Sequence, residues 1–171
     1  MIELILGGAR SGKSRFAEQT ANNYNKSVIY IATAQANDNE MTERIKLHQQ
    51  RRPKHWKTLE CPILLGETIQ QNSQSQQALL IDCLTLWLSN LICHPDPELY
   101  LAQRQSLFEA LQMTQSPIIL VSNETGLGVI PMGELTRRFV DESGFLHQEI
   151  ARIADKVTFM MAGLPQVLKP N

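Results

Sequence analysis

Gly7-Gly8-Ala9-Arg10-Ser11-Gly12-Lys13-Ser14 combines the residue types and spacing that hold a chain of phosphates. The pattern is Gly, four residues, then Gly-Lys-Ser. Glycines let successive backbone N–H groups turn inward and form an anion-binding nest. A helix beginning behind them aims its positive end at the same point. Lys13 has the reach for β- and γ-phosphates, and Ser14 offers a hydroxyl to Mg²⁺. The plain alternative is a Gly-rich turn that only caps a helix. The setting favours the phosphate loop: the apolar run Ile2-Glu3-Leu4-Ile5-Leu6 precedes it and a helix start, residues 14–19, follows.

Two further stretches bear chemistry. Ala78-Leu79-Leu80-Ile81-Asp82 is an apolar strand ending in a carboxylate, and a carboxylate beside a triphosphate can hold Mg²⁺ directly or through water. Residues 39–52 read as a helix with Asp38 as N-cap and Pro53 closing it. Met41, Ile45 and His48 share one face. Arg44, Lys46, Arg51 and Arg52 make the segment basic, with Lys54 and His55 just beyond. Such a cluster can clamp phosphates, and a neutral imidazole there can attack phosphorus to form a phosphoramidate. A solvated helix face bearing a structural histidine fits the same spacing, and the residues alone leave both open. Glu60 ends a strand over residues 56–60, where it can meet a sugar hydroxyl, a base edge or solvent. Asn123 and Glu124 follow a strand end in the same way. Arg137, Arg138 and Asp141 either bind substrate or pair along a helix face. His55, His94 and His147 have no evident partner and read as structural.

The elements that position these residues alternate. Residues 13–24 form a helix and residues 28–31 a strand with Ala32-Thr33-Ala34 at its C-terminal end, where ligands bind in open α/β sheets. Pro62 opens a helix that fades into the Gln-rich run 70–77, read as a surface loop. Helices follow at 84–91 and 98–112, a strand at 117–122, and a loop at 123–133. A helix at 134–154 has an expected irregularity near Ser143-Gly144. The last strand is 156–161, and residues 163–171 read as a frayed tail. Strands that are apolar throughout and alternate with helices predict an α/β fold, a mainly parallel sheet covered on both faces. No linker splits the chain, so residues 1–171 form one domain.

Composition narrows the classes. The net charge is −1, with 43% hydrophobic and 19% charged residues, which gives no basic track for nucleic acid and no basic face for a membrane. No apolar run approaches the roughly 20 residues of a membrane span. The three cysteines, Cys61, Cys83 and Cys93, have no paired metal spacing and fit reduced thiols. Together these predict a cytoplasmic protein without nucleic-acid partners or membrane spans.

Taken in order, the motifs carry a family resemblance. They are Gly7 to Ser14; Tyr30-Ile31-Ala32-Thr33-Ala34; Arg44-Ile45-x-x-His48-x-x-x-Arg52-Pro53-x-x-Trp56-x-Thr58-x-Glu60; and Asp82-Cys83-Leu84-Thr85-Leu86-Trp87-Leu88-Ser89-Asn90-Leu91. Asn123-Glu124-x-Gly126-x-Gly128-x-Ile130-Pro131, Arg137-Arg138-Phe139-x-Asp141 and Ala162-Gly163-Leu164-Pro165 complete the set. Over residues 2 to 165 the chain resembles the bifunctional adenosylcobinamide kinase/adenosylcobinamide-phosphate guanylyltransferase family of cobalamin biosynthesis. One departure is visible: the family usually has Asn before Gln where this chain has His147-Gln148, which implies an altered local contact.

The resemblance implies a RecA-like P-loop NTPase fold and two reactions. ATP or GTP phosphorylates the aminopropanol hydroxyl of adenosylcobinamide. GTP then transfers GMP to that phosphate through a guanylylated His48, giving adenosyl-GDP-cobinamide and pyrophosphate. Lys13 joins His48 as catalytic. Nucleotide binding falls to Gly7, Gly8, Ala9, Arg10, Ser11, Gly12, Lys13 and Ser14, then Ala32, Thr33, Ala34, Gln49, Gln50, Arg51, Arg52, Glu60 and Asp82. Ser14 and Asp82 are the expected Mg²⁺ ligands, and Glu60 is the residue expected to read guanine or ribose. The Asn-Lys-x-Asp guanine signature of small GTPases is absent, so any guanine preference has another origin. The family also implies a homo-oligomer, with a trimer expected. Two readings compete: a plain P-loop small-molecule kinase in which His48 has no covalent role, and a non-catalytic or motor-type nucleotide-binding module.

Overall fold

Strand β1 (Ile2–Gly7) is buried along its whole length, as a strand must be when both faces of its sheet are covered. Its one charged side chain, Glu3, meets Lys156 Nζ at 3.3 Å. The computed structural model describes residues 1–35, 42–43, 45–46, 50 and 52–170. After β1 come α1 (Lys13–Asn23), β2 (Ser27–Ala32), β3 (Lys57–Glu60), α2 (Leu65–Asn72), β4 (Gln77–Asp82) and α3 (Leu84–Ile92). Then follow α4 (Glu98–Met113), β5 (Ile118–Asn123), α5 (Glu134–Ile153), β6 (Lys156–Met161) and β7 (Leu164–Lys169).

Among the described residues seven strands lie in the order β3-β2-β4-β5-β1-β6-β7. The pairs of β1 with β5 and β6, β2 with β3 and β4, and β4 with β5 are all parallel. Only β7 runs antiparallel, against β6. One strand, β5, separates the phosphate-loop strand from the Asp82 strand.

The apolar strands still obey a period of two, because each parity feeds a different core. Leu4, Ile31, Leu79 and Ile81 join Leu65, Ile69, Trp87, Leu107 and Ile150, under α2 to α5. Ile5, Tyr30, Ala78 and Leu80 join Ala17, Ala21 and Trp56, under α1. The expected α/β fold with helices on both faces is present. Both parities are hydrophobic, so alternation was invisible as polarity.

Three expectations need correction. The stretch 163–171, expected as a frayed tail, contains a strand: Leu164–Lys169 is β7. Ala162 and Gly163 both have positive φ, 51° and 80°, and two such residues make the tight turn whose twist suits a hairpin. Lys169 Nζ then donates to the carbonyls of Ala151, Arg152 and Ala154, tying the strand to the carbonyl end of α5, where a cation is favoured. The helix over 134–153 is continuous through Ser143-Gly144; Ser143 is buried, so packing outweighs the weak helix propensity of that pair. The Gln-rich run is a loop only at residues 73–76, its ends belonging to α2 and β4.

The helix expected at 39–52 falls largely outside the described residues, as do Asp38, Met41, Arg44, His48, Gln49 and Arg51. Within it Thr42, Glu43, Ile45, Lys46 and Gln50 are helical.

Candidate active site

The phosphate loop connects the buried end of β1 to the first turn of α1. Gly7 has no room for a side chain: a Cβ there would lie 2.6 Å from both the Met160 carbonyl and Ser11 Oγ. Gly12 is the N-cap of α1, left-handed at φ 93°, a conformation that glycine adopts freely. Between them the Ser11 N–H donates to the Gly8 carbonyl at 3.2 Å. The β6–β7 turn braces the loop from outside, the Gly163 N–H donating to the Ser11 carbonyl at 3.0 Å. Ala9 and Arg10 are exposed, while Gly8, Gly12 and Ser14 are half-buried.

Lys13 is buried, and its Nζ donates to the Gly8 carbonyl at 3.0 Å. The ammonium thus folds back over its own loop. Burial pulls its pKa below the usual lysine value, while the neighbouring Cys83 and Asp82 act in the opposite sense. Lys13 opens α1, after β1, and Asp82 ends β4, two strand positions from β1, and the two feel one another across the site.

Asp82, at the end of β4, accepts a hydrogen bond on Oδ2 from the Tyr30 hydroxyl at 2.9 Å. The Arg52 guanidinium lies over the same tyrosine ring, 3.4 Å from its centroid. Burial and the adjacent Asp82 carboxylate push the Tyr30 hydroxyl pKa far up, so it stays a donor. Spacing did not assign Tyr30 a role. The available signal was parity, since Tyr30 sits two residues before Ala32, which pairs with Asp82.

The Ala32-Thr33-Ala34 segment divides its work. The buried Thr33 hydroxyl donates to the Cys83 carbonyl at 2.6 Å and accepts the Cys83 N–H at 2.9 Å. Its own carbonyl accepts from Asn90 Nδ2 at 2.9 Å. The Thr33 side chain therefore braces the chain after Asp82, and Ala32 and Ala34 are the half-buried neighbours. Glu60 is exposed at the end of β3, paired in register with Ala32. Gln50 is exposed.

The donor set suits a hard cation. Among the described residues Asp82 receives its carboxylate hydrogen bond from Tyr30, on one oxygen. Its other oxygen, the Ser14 hydroxyl and phosphate oxygens are the ligands Mg²⁺ prefers, with one or two carboxylates and no dedicated protein cage. No cluster of three or more His, Cys, Asp or Glu ligands occurs among the described residues.

A second set of residues at the end of β5 had no assigned role. His147 Nε2 lies 2.7 Å from Ser122 Oγ, and His147 Nδ1 lies 3.8 Å from Glu124 Oε2. Thr85 Oγ1 contacts Ser122 Oγ at 3.3 Å and accepts the Asn123 N–H at 2.7 Å. Burial lowers the His147 pKa, the Glu124 carboxylate opposing. The structural reading of His147 holds, but it has partners after all. Glu124 lies beside the loop, its N–H donating to the Gly7 carbonyl at 3.0 Å. With Gly8 to Ser11, Leu127 and Phe159 to Ala162 it lines a depression of about 480 Å³. Arg137 is exposed and donates to the carbonyls of Pro131 and Met132, so it holds the preceding loop. Arg138 and Asp141 are exposed on α5.

Comparison with known proteins places relatives beside this chain. The family model described as "Cobinamide kinase / cobinamide phosphate guanyltransferase" matches residues 3–168. The bifunctional adenosylcobalamin biosynthesis protein CobP of Pseudomonas aeruginosa is 56% identical over 169 residues, covering 99% of this chain and 98% of that protein. The bifunctional adenosylcobalamin biosynthesis protein CobU of Escherichia coli K12 is 37% identical over 182 residues, covering 99% and 100%. Among solved structures, the flagellar accessory protein FlaH of Methanocaldococcus jannaschii superposes with a TM-score of 0.55 at 14% identity, covering 99% of this chain and 78% of that one. That likeness speaks to the fold alone, a mainly parallel α/β sheet.

Proposed function

The chain belongs to the cobinamide kinase / cobinamide phosphate guanyltransferase family, and from that premise we propose how its residues carry the family's two reactions. The protein phosphorylates adenosylcobinamide with a nucleoside triphosphate. It then transfers GMP from GTP to adenosylcobinamide phosphate, giving adenosyl-GDP-cobinamide and pyrophosphate.

Residues Gly7 to Ser14 hold the triphosphate through inward N–H groups and the start of α1. Lys13 exchanges the Gly8 carbonyl for β- and γ-phosphate oxygens and stabilises the charge that gathers there. Ser14 and Asp82 are the ligands for Mg²⁺, which when bound neutralises phosphate charge. Ala32, Ala34, the Thr33 backbone, Gln49, Gln50, Arg51 and Glu60 surround the nucleoside, with Glu60 on guanine or ribose.

In the second reaction an imidazole nitrogen of His48 bonds to the α-phosphorus. The α–β bridging bond breaks, and pyrophosphate leaves with the bonding pair. The phosphate oxygen of the corrinoid substrate then attacks the same phosphorus and restores the histidine. The single observation behind this reading is the position of Arg52. The guanidinium at the end of the basic segment rests on Tyr30, which holds Asp82. Four residues upstream in the same segment is His48.

The competing kinase-only reading uses Lys13, Ser14 and Asp82 but gives that basic segment no task. Incubating the purified protein with adenosylcobinamide, GTP and Mg²⁺ should yield the phosphate and then adenosyl-GDP-cobinamide by mass spectrometry. Accumulation of the phosphate alone would return the protein to the kinase-only class.

The protein acts in the cytoplasm as a homo-oligomer, with a trimer the expected form. The support is a run of exposed apolar side chains, Leu127, Val129, Ile130 and Met132, each at least 77% exposed, of the kind that marks interaction surfaces when gathered together. Light scattering that gives only the monomer mass of 19.3 kDa would exclude an oligomer.

A further inference from the structure

The kinase reaction needs something the phosphate loop does not supply: a place for an uncharged alcohol beside the γ-phosphate, and a base for its proton. We propose that the depression between the phosphate loop and the β6–β7 turn is the acceptor-alcohol subsite, and that Glu124 is the general base in it. The proposal rests on the kinase activity given above and assigns that activity a residue.

The geometry supports it in three ways. The depression opens directly on the loop, sharing Gly8 to Ser11 with the triphosphate cradle. Its remaining walls are largely apolar, from Leu127 and from Phe159 to Met161, and among the described residues Glu124 is the one carboxylate lining it. An apolar wall beside a carboxylate suits the alkyl part of an alcohol and a base for its proton, while the cation of the lining, Arg10, stands on the loop side that faces the phosphates.

Glu124 is also held in place. Its Oε1 accepts the Gly126 N–H, and its Oε2 lies 3.8 Å from His147 Nδ1. His147 is itself fixed by Ser122 and is buried in α5. The backbone of Glu124 is pinned to the loop through the Gly7 carbonyl. A base held by such contacts keeps its orientation without substrate.

The step balances as follows. The alcohol oxygen bonds to the γ-phosphorus, and its proton passes to the Glu124 carboxylate. The β–γ bridging bond breaks, and its electron pair leaves on the nucleoside diphosphate. Glu124 then returns the proton to solvent through the open mouth of the depression.

Glu124→Gln keeps an oxygen for the Gly126 N–H but cannot take a proton. Its two half-reactions are measured separately, adenosylcobinamide phosphorylation and GMP transfer to supplied adenosylcobinamide phosphate. The kinase kcat should fall about 10²-fold or more, with KM for the nucleotide and the rate of GMP transfer both within about threefold of the parent. Glu124→Asp, which keeps a carboxylate, should recover part of the kinase rate. Kinase kcat within threefold of the parent in Glu124→Gln overturns the proposal. So does a parallel loss of both half-reactions, which marks a structural role. A parent protein that phosphorylates no adenosylcobinamide overturns the underlying activity and the base together.

Discussion

The Tyr30 hydroxyl donates to Asp82 Oδ2 at 2.9 Å, so the carboxylate at the end of β4 is oriented by the neighbouring strand β2 before any nucleotide arrives. The bond leaves the other carboxylate oxygen for a cation. Tyr30→Phe keeps the ring under Arg52 and removes only the donor. A hydrogen bond to a charged group is worth about 1.5–3 kcal/mol, and urea unfolding should show a loss near the lower end because Asp82 is partly solvated. The Mg²⁺ concentration needed for half-maximal turnover should rise. An unchanged Mg²⁺ requirement would mean that Tyr30 serves packing alone.

Lys13→Ala tests the cradle. Losing one preorganised charge donor should lower kinase kcat by about 10²–10³-fold. Because burial already disfavours the Lys13 charge, stability should change by less than about 1 kcal/mol in chemical denaturation. Near-parent phosphorylation in this variant would contradict the phosphate role.

The loop from Gly7 to Ser14 was legible as a shape, because Gly7 leaves no room for a Cβ and Gly12 is left-handed, so glycines stand at fixed places. The parallel sheet was equally legible from Val28 to Ile31, Ala78 to Ile81 and Ile118 to Val121. What stayed hidden involves contacts between distant residues. Lys169 capping α5 needs the Ala162-Gly163 turn to reverse the chain, and Leu164 to Leu168 is exposed, so no buried alternation announced a strand. The ties of His147 to Ser122 and Glu124 span 25 and 23 positions and exist only once α5 lies over β5.

Packing between α2 and α4 supplies a prediction away from the chemistry. A Cβ on Gly66 would lie 2.2 Å from Ser106 Oγ and 2.5 Å from its carbonyl carbon and oxygen. Backbone atoms cannot yield as a side chain can, so Gly66→Ala should destabilise the protein by about 3 kcal/mol. Urea denaturation measures this, and the folded fraction at low temperature should keep its guanylyl transfer rate. A change below about 0.5 kcal/mol would show that the two helices separate freely.

His147 gives the stability a pH dependence of definite sign. Its folded pKa is lowered, chiefly by burial, so the unfolded chain binds the proton more readily. The stabilisation is fully present above the unfolded value of about 6.5. It is lost as pH falls from there toward the lowered folded value, so stability rises with pH across that window. His147→Asn, which cannot titrate, should flatten the slope below about pH 6.5 in urea midpoints. An identical slope in parent and variant would assign the effect to other groups.

The most direct measurement concerns the nucleophile that separates a guanylyltransferase from a kinase. The protein is incubated with Mg²⁺ and GTP labelled at the α-phosphate, then denatured and tested for bound label. The account predicts one acid-labile, hydroxylamine-sensitive phosphoramidate per chain, absent in His48→Ala and chased by adenosylcobinamide phosphate into adenosyl-GDP-cobinamide. No label in the intact protein, or label that survives in His48→Ala, would contradict it.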